Sequence, residues 1–278
     1  MNQTIFLLLG VLGLAGIGSL VASNDDDSPP AAPENPFGDR DVIEGTNDAD
    51  TIDATAGDDA ILSYGGNDSV DAGEGDDQVW TGYGNDTVVA DAGDDEIYLG
   101  FDDDTYGALD LGADEGNDTI DGGSGNDTII TNSGEHSITG GDGADSITDN
   151  GGTVHIDGGA DNDVILSSDD STPEAQDTLL GGDGNDTIHA GGNDLVDGGD
   201  GEDLIVISNS VSDAVDITYS SSDSITLSVP ADYSGDEEPE LVQDGDDVHV
   251  VLNGEVLAVL RDTEVKDVGN IAVERATA

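Results

Sequence analysis

From Gly45 to Val206 a single nine-residue frame runs through the chain, fitting 17 copies, one of them a residue short, with five-residue insertions at 108–112 and 167–171. The eighth position of the frame reads Ile52, Ile61, Val70, Val79, Val88, Ile97, Tyr106, Ile120, Ile129, Ile138, Ile147, Ile156, Ile165, Leu179, Ile188, Val196 and Ile205, apolar throughout. The sixth position is Asp in 15 of the 17, the exceptions being His136 and Val154, and the fourth is Gly in 13. A strict period of this kind restricts the chain to repeat architectures, because one copy cannot bury its apolar residue alone and must stack on its neighbours. Three residues around each apolar position are too few for a free strand. They suffice for one rung of a stacked sheet, with the aliphatic side chain inward and its neighbours outward.

The other six residues of each copy read as a turn. Glycines supply positive φ angles and close backbone approach. The Asp behind them offers hard oxygen to a hard cation, and backbone carbonyls can complete the roughly six to eight oxygens that calcium prefers. Composition supports a cationic partner: 65 Asp and Glu stand against 4 Lys and Arg, a formal net charge of −61. Like-charge repulsion and the lack of any basic patch exclude nucleic acid and anionic membrane surfaces as partners. Disorder or a salt-adapted acidic surface would also explain the charge, but neither predicts a strict period. With no cysteine, thiolate and disulfide chemistry are excluded.

Gly181-Gly182-Asp183-Gly184-Asn185-Asp186-Thr187-Ile188-His189 matches the pattern GGxGxDxUx at every specified position, as do the copies starting at Gly122, Gly140 and Gly198. On these residues the segment 45–206 resembles the RTX (repeats-in-toxin, haemolysin-type) calcium-binding nonapeptide family. The resemblance implies an all-β fold, a right-handed parallel β-roll that binds multiple Ca2+ ions, each held between turns on the same side of the roll.

A second period refines this expectation. Copies 2, 4 and 6 begin with Ala54, Ala72 and Ala90 and end their turns in Gly-Asp-Asp, whereas copies 3 and 5 use Gly-Asn-Asp. The unit is therefore eighteen residues, as two sheets with turns facing alternate sides require. One expected ligand column holds Asp59, Asp77 and Asp95; the other holds Asp68 and Asp86, with Asp50 as an open addition. Further along, the expected ligands are Asp118, Asp127, Asp145, Asp163, Asp186, Asp194 and Asp203. His136, Val154, both insertions and the short copy 190–197 all fall in even copies. If the insertions leave the phase unchanged, the second half keeps one intact column and one eroded face.

A single buried aliphatic per copy returns only about 1.5–3 kcal/mol, less than the entropy lost in ordering nine residues, so folding coupled to calcium is expected. His136 reads more readily as a solvated turn residue than as a metal ligand. His155, His189 and His249 lack HExxH spacing. No GxSxG elbow occurs, and repetition makes pairs such as Asp76 and Asp77 structural rather than catalytic. The chain is accordingly expected not to be an enzyme.

The ends carry different signals. Ile5–Ala22 is an uncharged apolar stretch of 18 residues, read as a helix that is an uncleaved membrane anchor, a cleaved signal peptide or a buried soluble helix, the first two of which place the acidic body outside the cytoplasm. Expected domains are this segment (1–23), an acidic Pro-rich linker (24–41), the calcium-binding roll (42–206), and a small C-terminal β cap or secretion-associated region (207–278). In the last, strands are predicted at 215–219 and 224–229, and a hairpin at 248–260 around Asn253-Gly254. The function expected is an exported or surface-anchored structural or adhesive calcium-binding protein. Its rivals are an accessory module of a secreted hydrolase or epimerase, and a plain calcium buffer or mineral-binding polyanion.

Overall fold

Every apolar eighth position becomes the centre of a strand that pairs in parallel with the strand two copies away. In one sheet Ile61, Val79, Ile97, Ile120, Ile138, Ile156, Leu179 and Val196 stand in register. In the other the row runs Ile52, Val70, Val88, Tyr106, Ile129, Ile147, Ile165, Ile188 and Ile205, and continues to Ile225. The eighteen-residue unit of the sequence is thus the pairing distance of the fold. The protein, a computed structural model, describes residues 37–38, 40–107, 116–168, 176–208, 213–235 and 238–276, and residues 39–278 form one compact unit. The apolar helix expected at 5–22, most of the linker, the 108–112 insertion and most of the 167–171 insertion lie outside the described residues.

Two sheets of thirteen and eleven strands face each other, parallel except where Glu240–Asp244, Asp247–Leu252 and Glu255–Arg261 pair antiparallel at the end of the larger one, and along the repeats the chain alternates between them at each copy. Their inward rows form one continuous apolar core in which every side chain just named is 8 % exposed or less. The insertions do not disturb the phase. Ile97 pairs with Ile120 and Tyr106 with Ile129, twenty-three residues apart instead of eighteen, so the extra five residues leave the alternation of sheets intact.

Turns between the sheets stack through close backbone contacts, most of them at glycines. Gly143 has φ 129°, and a Cβ there would lie 1.8 Å from the carbonyl oxygen of Gly125 in the neighbouring turn. Alanine at this position meets both an unfavourable φ and a backbone atom that cannot move independently. Gly143→Ala is expected to destabilise the calcium-loaded protein by about 3 kcal/mol or more, read as a clear drop in melting temperature; an unchanged melt would mean that turns are free to respace.

Beyond Val206 the nine-residue frame stops but the sheets do not. Leu195–Asp200 pairs in parallel with Val215–Thr218, which pairs with Glu255–Arg261. Leu204–Ser208 pairs with Ser224–Val229, which pairs with Asn270–Arg275. The hairpin predicted around Asn253-Gly254 is present, with both residues at positive φ as a tight two-residue turn demands. Arg261 ties it to the preceding strand, its Nη1 donating to Asp247 at 2.9 Å and its Nη2 to Asp216 at 2.5 Å.

Candidate metal-binding turns

The sixth-position aspartates form two columns, one on each side of the roll. Those leading into the eleven-stranded sheet are Asp50, Asp68, Asp86, Asp104, Asp127, Asp145, Asp163, Asp186 and Asp203. Along this column the backbone N–H of each donates to Oδ1 of the next at 2.7–3.0 Å. The other column, leading into the thirteen-stranded sheet, repeats the pattern from Asp59 to Asp77 to Asp95 to Asp118. It resumes where the Val154 N–H donates to Asp177 Oδ1 at 2.8 Å, and Asp194 lies one turn further on.

Half of each carboxylate therefore has a structural task. Oδ1 pins one turn to the turn before it, while all of these aspartates except Asp50 are 3 % exposed or less. The second oxygen is different. Oδ2 of Asp68, Asp77, Asp86, Asp104, Asp127, Asp145, Asp163, Asp186 and Asp203 is buried with no hydrogen-bond partner. Such an oxygen carries a heavy desolvation cost unless a proton or a cation answers it.

Burial accordingly pushes Asp77, Asp86, Asp104, Asp127, Asp145, Asp163 and Asp186 up, the backbone N–H on Oδ1 pulling the other way and neighbouring carboxylates adding to the rise. Asp104 reaches about 8, Asp145 and Asp163 about 7, and Asp77 and Asp86 about 6. Asp127 and Asp186 are raised for the same leading reason.

The glycine that opens several turns lets a carboxylate oxygen and a carbonyl of the next turn come close together: a Cβ on Gly140 would lie 2.4 Å from both Asp145 Oδ2 and the Gly158 carbonyl oxygen, and one on Gly158 would lie 2.5 Å from both Asp163 Oδ2 and the Gly181 carbonyl. An unanswered carboxylate oxygen beside turn carbonyls is the kind of hard donor set that calcium takes. Among the described residues no three His, Asp or Glu side chains gather at one point. The donor set is one carboxylate plus backbone carbonyls, which suits a hard oxygen-seeking cation and not zinc.

The structure corrects the reading of His136. It is not solvated: it is 3 % exposed and stands in the aspartate column, where its Nδ1 takes the Asp118 N–H at 3.2 Å, as Oδ1 does elsewhere. The same nitrogen lies 3.3 Å from Asp118 Oδ2, which also accepts from the Tyr106 hydroxyl at 3.2 Å. His136 pairs directly with Val154, and the strands there lengthen to eight residues, Glu135–Asp142 and Thr153–Ala160. Where the acid is lost, the turn is rebuilt as strand.

Of the buried aspartates at sixth or equivalent positions, three escaped the expected ligand set. Asp104 and Asp177 occupy sixth positions in the copies beside the two insertions, where the frame is hardest to follow. Asp223 extends the first column past Asp203, and its Asp-Ser-Ile-Thr sequence, aligned with Asp-Leu-Ile-Val at 203–206, was the available signal. A second, exposed ladder was also missed. Fifth-position side chains accept the N–H of the next turn, as Asp76 does from Asp94 at 3.1 Å and Asn162 from Asn185 at 2.7 Å. This is why Asn-Asp and Asp-Asp recur at the turn.

The family model for the RTX calcium-binding nonapeptide repeat matches residues 37–70, 44–79, 71–106, 113–135, 139–171 and 174–205, more than half of the chain. No curated protein matches it.

Proposed function

The chain belongs to the RTX calcium-binding nonapeptide-repeat family and binds multiple calcium ions through those repeats; we propose that it folds on taking up calcium and serves outside the cytoplasm as a structural or adhesive element. The observation that carries this reading is the row of buried, unanswered Oδ2 atoms, which makes the metal-free roll costly and the calcium-loaded roll stable. A protein built so is folded where calcium is abundant. When bound, the ions supply positive charge between stacked carboxylates, and the chain's own part is to present Oδ2 and turn carbonyls at fixed spacing.

The apolar stretch at 5–22 supports export or anchoring, and the acidic surface supports a role away from nucleic acid. Residues 207–278 continue both sheets and act as the closing end of the solenoid, which would otherwise expose its last apolar rung. Fractionation of producing cells tests the placement: the protein is expected in the medium or on the cell surface, released or retained according to the fate of residues 5–22. Binding of the purified protein to whole cells with calcium, and not with EDTA, tests adhesion. Recovery in the cytoplasm alone, or cell binding indifferent to calcium, would overturn the proposal.

A further inference from the structure

We propose that the outer face of the thirteen-stranded sheet around Trp80 and Tyr98 is a docking surface for a basic protein segment, whose Arg or Lys side chains lie against stacked rings between flanking carboxylates. This rests on the adhesive reading above and deepens it by naming a surface and the chemistry of its partner.

The chain has only one Trp, six Tyr and three Phe. Five of these ten, Tyr64, Trp80, Tyr83, Tyr98 and Phe101, lie on or beside three consecutive strands of one sheet. Trp80 stands between inward Val79 and Thr81, and Tyr98 between inward Ile97 and Leu99, so both rings lie on the outer face. They stack with 5° between their planes, and Tyr83 and Phe101 form a second stack alongside, with 8°. Between the two stacks the outward position is Gly82 on one strand and Gly100 on the next, which leaves a lane without side chains.

Stacking along a sheet steadies it. Steadying alone does not need rings in water, yet Tyr83 is 60 % exposed and Phe101 45 %. Clustered exposed rings in a chain so poor in them are what a partner covers.

Charge selects the partner. The outward row that carries Trp80 and Tyr98 reads Glu44, Leu62, Trp80, Tyr98 and Asp121 in register. A carboxylate therefore closes each end of the row, four strand spacings or about 19 Å apart. Glu96 adds a third beside the rings, held in place by the Tyr98 hydroxyl and the Gln78 amide, each donating to it at 2.6 Å. The Tyr64 hydroxyl holds Glu44 in the same way at 3.0 Å. The chain's own four basic residues lie elsewhere: Arg40 donates to the Asp76 carbonyl, and Arg261, Lys266 and Arg275 are near the C-terminus.

Aromatic faces attract cations, Trp most strongly, and a guanidinium also stacks on them. The net charge of −61 steers a basic partner toward the protein and an anionic one away. A neutral sugar would use the rings but leave the held carboxylates without a task. Further along the same row stand Thr139, Asp157, Leu180 and Asp197, with no ring among them, so the surface is confined to the N-terminal half.

Trp80, the only tryptophan, makes the surface its own reporter. The probe is a blocked peptide of two arginines separated by four glycines, which reaches about 17 Å when extended. It is titrated into the full chain in excess calcium and 0.15 M salt. The peptide is expected to shift Trp80 emission, and the same peptide with citrulline for arginine is not. Tyr83→Ser combined with Phe101→Ser, checked for native circular dichroism, is expected to weaken binding about tenfold. Glu96→Gln, which leaves every ring in place, is expected to weaken it about threefold. Leu195→Ser, a change at a 39 % exposed position on the same sheet in the other half, is expected to leave it unchanged. Equal binding of the arginine and citrulline peptides would overturn the proposal in favour of a neutral ligand. Equal binding by the wild type and the ring variant would overturn it in favour of general attraction to the polyanion. Either result leaves calcium-dependent binding to whole cells standing, whereas loss of that binding in the wild type overturns the adhesive reading itself.

Discussion

Removal of calcium with EDTA is expected to abolish most of the β-sheet circular dichroism of this protein, and restoring millimolar calcium to bring it back. Most copies give the core a single large apolar side chain, and the turns are rich in glycine and aspartate. Sheet hydrogen bonds repeat at about 4.8 Å, so the stacked Oδ2 atoms repel at close range in a water-poor setting. Hydrogen bonds to Oδ1 cannot relieve this, since they use the other oxygen. Calcium removes both the repulsion and the desolvation at once, so the loss on its withdrawal is cooperative rather than local. Trp80, the only tryptophan, reports on the same event from the N-terminal half. Its ring stacks on Tyr98 at 5.8 Å between centroids, in parallel with Tyr83 on Phe101 at 4.7 Å. Its emission is expected to shift together with the circular dichroism. Identical spectra in EDTA and in calcium would sink coupled folding, and a change in circular dichroism without one in Trp80 would confine it to the C-terminal half.

Acid is expected to substitute in part for calcium. In the metal-free roll Asp104 titrates near 8, Asp145 and Asp163 near 7, and Asp77 and Asp86 near 6, each raised from 3.8 chiefly by burial. A carboxyl whose folded value is raised binds its proton more tightly in the folded state. Its contribution is fully present below pH about 4 and is lost as the pH climbs through about 6 to 8. Protonation of the exposed carboxylates acts in the same direction by lowering the net charge of −61. In EDTA, β structure is therefore expected to be greatest near pH 4 and to disappear between about pH 6 and pH 8, with calcium abolishing that transition. Calcium added near pH 6 in weak buffer is expected to release protons, which pH titration would detect. A metal-free chain equally unfolded at pH 4 and pH 8 would show that charge on the buried columns is not what opposes folding.

Much of this architecture was legible in advance because the repeat couples two periods. The nine-residue frame places Ile129, Ile138 and Ile147 inward irrespective of the turn that precedes them, and the eighteen-residue alternation of Ala-led and other copies announces two sheets. The phase across the insertions was only an assumption of that reading, and the pairing of Ile97 with Ile120 and of Ile156 with Leu179 supplies it. The aspartate columns could be located, but the division of labour within each carboxylate could not. Sequence shows an acid at position six; it does not show that Oδ1 is already bound to a backbone N–H and that only Oδ2 remains.

His136 illustrates the limit most plainly. A histidine in place of an acid suggests a turn released to solvent, yet its Nδ1 reaches the same amide that a carboxylate would, and the neighbouring Val154 lets both strands extend through the former turn. Burial there is decided by the stack above and below, which a single copy does not encode. The continuation past Val206 has the same cause: Asp223 and Ile225 keep the geometry of the frame after its glycines have gone, because the preceding rung offers a ready edge of N–H and C=O groups.

By itself the sequence determined the repeat, its inward row, the two-sided alternation of turns and the affinity for a hard cation, all of which follow from residue type and spacing. Only the tertiary structure decided which oxygens remain unanswered and which are spent on a backbone N–H. The partner amide lies seventeen or more residues away along the chain, a distance that closes only once the chain is wound.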